Sequence, residues 1–249
     1  MVERRCLVDP IEEIFVAADL MHQAAEAHFE ASYQEAERLF ALANDPVVWA
    51  FTDAAWGAGA KKRHAFITVA DAPPYLSRQL RPQPRMPTLA TMRAVVERDG
   101  YHCRFCGMPV VSSMIRKLAH TAYPVAVPWG STNSSQHAGF QCMWLQFDHI
   151  LPNSRGGTSD FDNVVTTCAP CNFGRMEATL AEAQLVHPLA VEDRRSWAGK
   201  NRLERARTAT RVAYDRDPSQ DQLAFHLTRT SCRWSLAVSS CVLNSSPMY

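Results

Sequence analysis

The sequence predicts an α+β fold, in which a helical N-terminal region precedes a small unit of two strands and a helix. Apolar residues recur at helical intervals across residues 11–42, which predicts one long helix or two. Residues 144–150 instead have the pattern of a strand, and the β-branched run over residues 164–167 predicts a second strand that returns along the first. A helical pattern starts at Asn172, so the predicted order is strand, loop, strand, helix.

Two further helices are predicted from their starting residues. The pair Asp45-Pro46 is typical of a helix start, so a short helix is expected over residues 47–56. Thr88 is a suitable cap for another helix over residues 89–98. Between these two helices, residues 71–87 contain five prolines, which predicts an extended linker.

The bulk composition is that of an ordinary globular protein, with 47% hydrophobic and 20% charged residues. No apolar run reaches the roughly 18 residues that a membrane-spanning helix needs. The N-terminus also lacks the apolar core of a signal peptide. We therefore expect a cytoplasmic protein that does not associate with membranes.

Charge is distributed unevenly along the chain. Residues 1–57 carry 11 acidic and 3 basic residues, whereas residues 58–99 carry 8 basic and 3 acidic ones, and residues 194–216 carry 8 basic and 2 acidic ones. Two basic segments suit a protein that grips phosphates, although solvated helix faces are an equal alternative. The acidic helices are a candidate surface for a homodimer or a protein partner, and a buttress for the rest of the fold is the favoured alternative.

Four of the eight cysteines fall into two Cys-x-x-Cys pairs, namely Cys103 with Cys106 and Cys168 with Cys171. In an intracellular chain, such pairs indicate metal binding rather than disulfide bonds. Four thiolates are a ligand set that tetrahedral zinc prefers, so the sequence predicts a structural Zn²⁺ at these four residues. The ion would replace a hydrophobic core that so small a unit cannot build.

Polar residues cluster in the strand, loop, strand, helix unit. Asp148-His149 ends the first strand, Gly156-Gly157 lies in the loop, Asn163 precedes the second strand, and Asn172 follows the last cysteine of the pair. A buried acid beside an imidazole costs free energy unless it is paired or metal-bound, so this position indicates a site. In this order, and with both cysteine pairs, the motifs resemble the HNH endonuclease family over roughly residues 90–185.

The resemblance implies a ββα-metal finger, similar to a treble clef, with a long insert over residues 107–146. With it, the chain divides into a helical acidic N-terminal region over residues 1–70 and a proline-rich linker over residues 71–87. An HNH nuclease domain follows over residues 88–188. A basic C-terminal arm and a poorly ordered tail are expected over residues 189–249.

The resemblance also implies a catalytic arrangement for hydrolysing DNA phosphodiester bonds. His149 would be the general base that takes a proton from the attacking water. Asp148 and Asn172 would hold a catalytic Mg²⁺ or Mn²⁺, because oxygen ligands suit these ions. Asn163 would do no chemistry but would keep His149 oriented.

The implied partner is nucleic acid, and double-stranded DNA is the substrate that the resemblance favours. Arg155 in the loop and Arg175 one turn into the helix are candidates for phosphate contacts. The competing interpretation is a non-catalytic, zinc-stabilised nucleic-acid-binding or adaptor module. Such a module requires the cysteines alone, so the presence of the four polar residues favours the nuclease.

Overall fold

The computed structural model describes residues 4–57 and 64–191. Its helices are α1 (Glu12–Phe29), α2 (Tyr33–Leu42), α3 (Pro46–Trp56), α4 (Leu89–Asp99), α5 (Ser113–Ala122), α6 (Ala138–Cys142), α7 (Ala169–Arg175) and α8 (Leu180–Ala183). Strands β1 (Leu145–His149) and β2 (Val164–Cys168) pair in an antiparallel sheet. This mixture of helices and a small sheet agrees with the predicted α+β class. Nearly all of the predicted C-terminal arm and tail lies outside the described residues.

Local signals explain how the N-terminal helices begin and end. Ala31 has a φ of 57°, a conformation that interrupts a helix, so residues 11–42 form two helices rather than one. The Asp45 side chain accepts a hydrogen bond from the Val47 backbone N–H at 2.7 Å, and Pro46 occupies the first turn of α3. The predicted start of this helix is therefore confirmed. None of the helices in the described ranges is long and apolar enough to cross a membrane.

The N-terminal helices pack against the strand and helix unit rather than standing apart from it. The Phe173 ring of α7 stacks on the Trp56 ring of α3, with centroids 4.4 Å apart, and lies 6.1 Å from the Trp144 ring. Such aromatic pairs contribute about 1 kcal/mol beyond the area they bury. This packing supports the favoured interpretation of these helices as a buttress, while a dimer or partner surface on them stays a prediction.

The end of α4 is held against β2 by a buried carboxylate. Asp99 accepts a hydrogen bond from the Thr166 backbone N–H at 2.7 Å and pairs with Arg98 at 2.7 Å. Thr88 caps the start of the same helix, as the sequence predicts, by accepting a hydrogen bond from the Thr91 N–H. Because α4 is fixed in this way, the turn that follows it, with Cys103, comes to lie beside the end of β2.

The helix after β2 differs from the prediction at both ends. The sequence predicts a helix from Asn172 towards residue 187, but α7 starts at Ala169 and ends at Arg175. Met176 has a φ of 54°, which breaks the helix. A second start signal follows, because Thr179 and Glu182 form a reciprocal capping box that begins α8.

The proline-rich segment, which the sequence predicts to be an extended linker, includes a short 3-10 helix at Arg78–Leu80 and is docked on the rest of the protein. We call residues 73–88 the strap. The Leu76 backbone N–H donates to the Ser154 carbonyl at 2.8 Å, and the Asn153 side chain donates to the Pro82 carbonyl at 2.9 Å. The strap therefore follows the loop between β1 and β2.

Buried His137 makes the stability of the protein sensitive to mild acid. The Nε2 atom of this fully buried ring donates to the Phe40 carbonyl at 2.9 Å, and Nδ1 accepts the Phe140 N–H at 3.2 Å. Burial lowers the pKa of His137 to about 4, whereas an unfolded histidine titrates near 6.5. Between these values only the unfolded chain binds the proton, so stability is complete above about pH 6.5 and falls as the pH drops towards 4.

We expect this histidine to remove up to about 3 kcal/mol of unfolding free energy over that interval. Urea unfolding at a series of pH values measures the slope. His137→Gln, which cannot titrate, is the control and should flatten the slope between about pH 6.5 and 4. An unchanged slope in that variant would assign the acid sensitivity to other groups.

Candidate active site

The two strands bring the predicted polar residues to one end of the sheet. His149, the last residue of β1, lies opposite Val164 in the antiparallel register, and Asp148 lies opposite Val165. Asn163 directly precedes Val164, so it is next to the end of β1. Strand β2 is rich in β-branched residues and is buried on both of its faces, so the ends of the sheet that hold these residues lie inside the fold.

Asn163 closes the loop that connects the strands. Its side-chain oxygen accepts the Leu151 N–H at 2.9 Å, and its amide nitrogen donates to the Leu151 carbonyl at 3.1 Å and to the Thr158 carbonyl at 2.7 Å. The Ile150 N–H also donates to the Asn163 carbonyl at 2.7 Å. One side chain therefore holds both ends of the loop beside His149, a geometry that suits the expected positioning role.

The second glycine of the loop allows this close approach. A Cβ atom on Gly157 would lie 1.7 Å from the Leu151 carbonyl oxygen and 2.8 Å from the Asn163 amide nitrogen. Gly156 differs, because its φ is +92° but the nearest atom to an added Cβ is a Leu76 methyl at 3.6 Å. Gly156 is therefore needed because its backbone has a positive φ, and Gly157 is needed because a side chain would not fit there.

Gly157→Ala is expected to destabilise the protein by about 2 kcal/mol or more, because backbone atoms on both sides of the loop must move apart. Gly156→Ala should cost only about 1 kcal/mol, the usual penalty for a left-handed alanine. Chemical denaturation of both variants provides the comparison. If Gly157→Ala were the milder substitution, the close approach of the loop to Leu151 would be contradicted.

The imidazole of His149 is held by a hydroxyl group. Nε2 lies 2.9 Å from Ser159 Oγ, which itself donates towards the carbonyls of Pro84 at 2.9 Å and Arg85 at 2.8 Å. Carbonyls only accept, so the single hydroxyl proton points to the strap and the oxygen accepts from Nε2–H. This arrangement leaves Nδ1 of His149 as the ring nitrogen with a lone pair.

The surroundings of His149 also favour its neutral form. Burial lowers the pKa of the imidazole below its usual value, and the positive charges of Arg85 and Arg175 act in the same direction. A backbone hydrogen bond with Arg85 opposes this effect in part. A neutral imidazole is the form that can accept a proton.

Asp148 is buried, with 6% of the residue exposed, and is paired with Arg175. Two guanidinium nitrogens of Arg175 donate to Asp148 Oδ2, at 3.1 and 2.7 Å. Burial raises the pKa of the Asp148 carboxyl above its usual value, and the Arg175 charge opposes this. Both guanidinium contacts go to Oδ2, and the carboxylate also accepts a hydrogen bond from the His149 backbone.

The placement of Arg175 does not favour its predicted phosphate contact. Only 1% of the residue is exposed, and its other donor bonds go to the backbone carbonyls of His149, Ile150 and Ala178. A guanidinium group engaged on all sides cannot reach a phosphate at the surface. Its charge instead compensates the buried Asp148 and ties α7 to the end of β1.

The placement of Arg155 does not favour its predicted phosphate contact either. Arg155 is 7% exposed, lies 2.6 Å from the Glu182 carboxylate, and donates to the Pro73 carbonyl. Its guanidinium also stacks on the Tyr75 ring at 3.6 Å. Arg155 therefore joins the loop to α8 and to the strap.

Asn172 lies across the interface between α7 and β1. Its amide nitrogen donates to the Gln146 side-chain oxygen at 3.4 Å, one helical turn before the contact between Arg175 and Asp148. Gln146 and Asp148 are two residues apart and so project from the same face of β1. The structure thus brings Asn172 and Asp148 to the same interface.

The four cysteines of the two pairs form a buried cluster. All of their Sγ atoms lie within 4.8 Å of one another, and those of Cys106 and Cys168 are 3.6 Å apart. Tetrahedral zinc with bonds of about 2.3 Å places its sulfurs about 3.8 Å apart, so the spacing fits such an ion. The cluster joins the turn after α4, which contains Cys103, to the junction of β2 and α7, which contains Cys171.

Sequence reasoning did not find Ser159 or the strap carbonyls that hold it. The Ser159 contacts with Pro84 and Arg85 join residues 75 and 74 positions apart. The proline content of residues 71–87 predicts an extended chain, but nothing in a local pattern reports where such a chain docks. No sequence signal could have identified Ser159.

Comparison with known proteins agrees with these motifs. Residues 139–184 match the sequence model of the HNH endonuclease family. The matched segment contains β1, the loop, β2, α7 and α8, together with the second cysteine pair. No curated protein and no solved structure gives a significant match. The resemblance read from the motifs is therefore confirmed over residues 139–184, which are similar to the HNH endonuclease family.

Proposed function

We propose that this protein is a metal-dependent endonuclease that hydrolyses phosphodiester bonds in double-stranded DNA, built on a ββα-metal finger. One observation carries the proposal: Asp148, His149 and Asn163 lie where β1 meets the loop, and Asn172 of α7 lies against Gln146 of the same strand. A scaffold for zinc alone would need none of these four side chains. The HNH endonuclease match to residues 139–184 supports a nucleic-acid substrate.

His149 is the general base in this proposal. Ser159 holds Nε2–H, and Nδ1 accepts a proton from the water that attacks the phosphorus. Asn163 keeps the imidazole in place by fixing the loop that starts one residue after it. These two side chains position the base and do not touch the reacting atoms.

Asp148 and Asn172 supply the ligands of a catalytic Mg²⁺ or Mn²⁺ ion. The donor set fits. Arg175 bonds to Asp148 through Oδ2 and not through Oδ1. Asn172 bonds to Gln146 through its side-chain nitrogen, and its side-chain oxygen is the atom that would face a metal ion. Carboxylate and amide oxygens are what these ions prefer. When bound, such an ion stabilises the negative charge that develops on the leaving oxygen.

Cys103, Cys106, Cys168 and Cys171 hold a structural zinc ion in this proposal. Their sulfur atoms have the spacing of a tetrahedral site, and all four side chains are buried. A closed set of four thiolates leaves no open position for substrate, so the site supports the fold and not the chemistry.

One observation favours the competing function, a non-catalytic zinc-stabilised module that binds nucleic acid or acts as an adaptor. Arg175 already pairs with the buried Asp148 carboxylate and compensates its negative charge. The fold therefore needs no metal ion to offset the cost of burying this charge. In this alternative Asp148 is a structural residue of the interface between β1 and α7.

Cleavage of supercoiled plasmid by the purified full-length protein separates the two functions. Free divalent ions are removed first, Mg²⁺ or Mn²⁺ is added back, and bound zinc is measured in parallel. We expect nicked or linear plasmid only after the add-back, and a higher Mg²⁺ requirement for Asn172→Ala. Intact plasmid, single-stranded DNA and RNA, in a protein that retains its zinc, would instead favour the non-catalytic module.

A further inference from the structure

The strap carries exposed positive charge beside the candidate base. The two arginines predicted to contact phosphates, Arg155 and Arg175, are buried instead. Residues 73–88 contain three arginines, Arg78, Arg81 and Arg85, and no acidic residue. Arg81 is partly buried and donates to the Leu76 carbonyl at 3.2 Å. Arg78 and Arg85 are exposed, and their guanidinium groups make no hydrogen bond or ion pair within the described ranges.

The strap is fastened next to His149 along its length. Contacts with Arg155, Ser154 and Asn153 hold its residues 73–82 against the loop. Near its end, the Arg85 carbonyl accepts the Ser159 hydroxyl at 2.8 Å, and the same hydroxyl lies 2.9 Å from His149 Nε2. The backbone of Arg85 is therefore tied to the imidazole both through the Ser159 oxygen and by its own hydrogen bond with His149.

We propose that the strap is the element that binds the nucleic-acid backbone, with Arg78 and Arg85 contacting phosphates near the scissile bond. The inference rests on the proposed function, because a nucleic acid is the ligand. An unpaired guanidinium on a segment that lacks acidic residues is suited to a phosphodiester oxygen. Such contacts position the substrate without reading its sequence.

The docked geometry explains why a proline-rich segment suits this task. A chain segment with several prolines loses little conformational entropy on binding, because the φ angles of the prolines are already restricted. Arg155 and Asn153 of the loop hold the strap by hydrogen bonds, so Arg85 keeps its place relative to His149. A phosphate held by Arg85 is thereby brought towards the base.

The test measures binding and not cleavage. Full-length, zinc-loaded protein carrying His149→Ala is titrated against a fluorescein-labelled DNA duplex, and anisotropy is recorded from about 50 mM to about 200 mM salt. Arg78→Ala with Arg85→Ala is compared with Arg38→Ala plus Lys117→Ala, a control that removes two exposed positive charges elsewhere, of which Arg38 is ion-paired with Glu35. Far-UV circular dichroism and zinc content verify that each variant is folded.

Loss of two phosphate contacts should reduce the slope of log affinity against log salt by about 1.8 and the affinity by about thirtyfold at about 0.15 M salt. Two duplexes of unrelated sequence should show the same loss. The Arg38 and Lys117 control should keep the slope of the parent protein.

Two outcomes would overturn the inference. One is a slope that is unchanged in the strap variant, or reduced equally in the control. The other is unchanged duplex affinity with loss of a dimer, which would mean that the strap docks on the acidic helices of a second copy. Both outcomes are measured without cleavage. A failure to cleave plasmid would therefore count against the proposed function, and the binding result would still decide the role of the strap.

Discussion

Replacing His149 with alanine is expected to slow DNA cleavage by about 10²- to 10⁴-fold, the usual effect of removing a general base. The side chain ends β1, and its described hydrogen-bond contacts are with Ser159 and the Arg85 backbone, so its loss should leave the sheet and the cysteine cluster intact. Single-turnover cleavage of supercoiled plasmid measures the rate. Duplex affinity should change little, because the variant keeps its arginines.

A second histidine serves as the control for this prediction. His120 lies in the insert, where its Nδ1 atom is 2.7 Å from the Val127 carbonyl, and in the described part of the chain no side-chain hydrogen bond joins it to either strand. His120→Ala should therefore cleave at nearly the parental rate. A His149→Ala protein that cleaved within a fewfold of the parent would remove the base from the proposed mechanism, whatever metal it contained.

Elements defined by neighbouring residues could be predicted from the sequence. The caps of α3 and α4 depend on Asp45 and Thr88, whose side chains bond to backbone atoms two and three residues away. Strand β2 follows from its β-branched residues, and its predicted and observed limits differ by one residue. The two cysteines of each Cys-x-x-Cys pair are close together in the sequence, so the sequence alone predicts that they bind one metal ion.

Features that depend on distant partners could not be predicted in this way. Arg155 and Arg175 look like surface cations in the sequence, since arginine is rarely buried. Each is buried because a carboxylate from another element meets it, Glu182 for the first and Asp148 for the second. The end of α7 depends similarly on the left-handed backbone of Met176, which no local residue preference requires.

The Asp148–Arg175 pair links the fold to the proposed chemistry. A buried carboxylate that lost its partner would cost about 3 to 5 kcal/mol, so the pair is needed for stability wherever Asp148 is kept. In the proposed mechanism the Arg175 charge also favours the ionised carboxylate against the effect of burial, and its two hydrogen bonds to Oδ2 fix the carboxylate in place. The same residue can thus stabilise the interface between β1 and α7 and provide a metal ligand.

Removing a cysteine of the cluster is expected to have the largest effect on stability. Cys168→Ala should lose the zinc ion and most of the cooperative unfolding transition. Structural zinc sites bind with apparent free energies of about 10 to 16 kcal/mol, which equals or exceeds the total stability of a typical domain. Cys168 ends β2 immediately before α7, so its loss also releases the helix that contains Asn172. Zinc per chain and thermal unfolding are the two measurements.

Cys142 provides a matched control, because it is also a fully buried cysteine but is not one of the four clustered residues. Burial raises the pKa of Cys142 to about 12, so it remains a neutral thiol and behaves as a small apolar side chain. Cys142→Ala should keep one zinc ion per chain and lose only about 1 kcal/mol, the typical cost of a point substitution. Equal zinc loss in both variants would attribute the effect to general unfolding. Full zinc retention in Cys168→Ala would show that the metal is bound elsewhere, and the four-cysteine assignment would then be wrong.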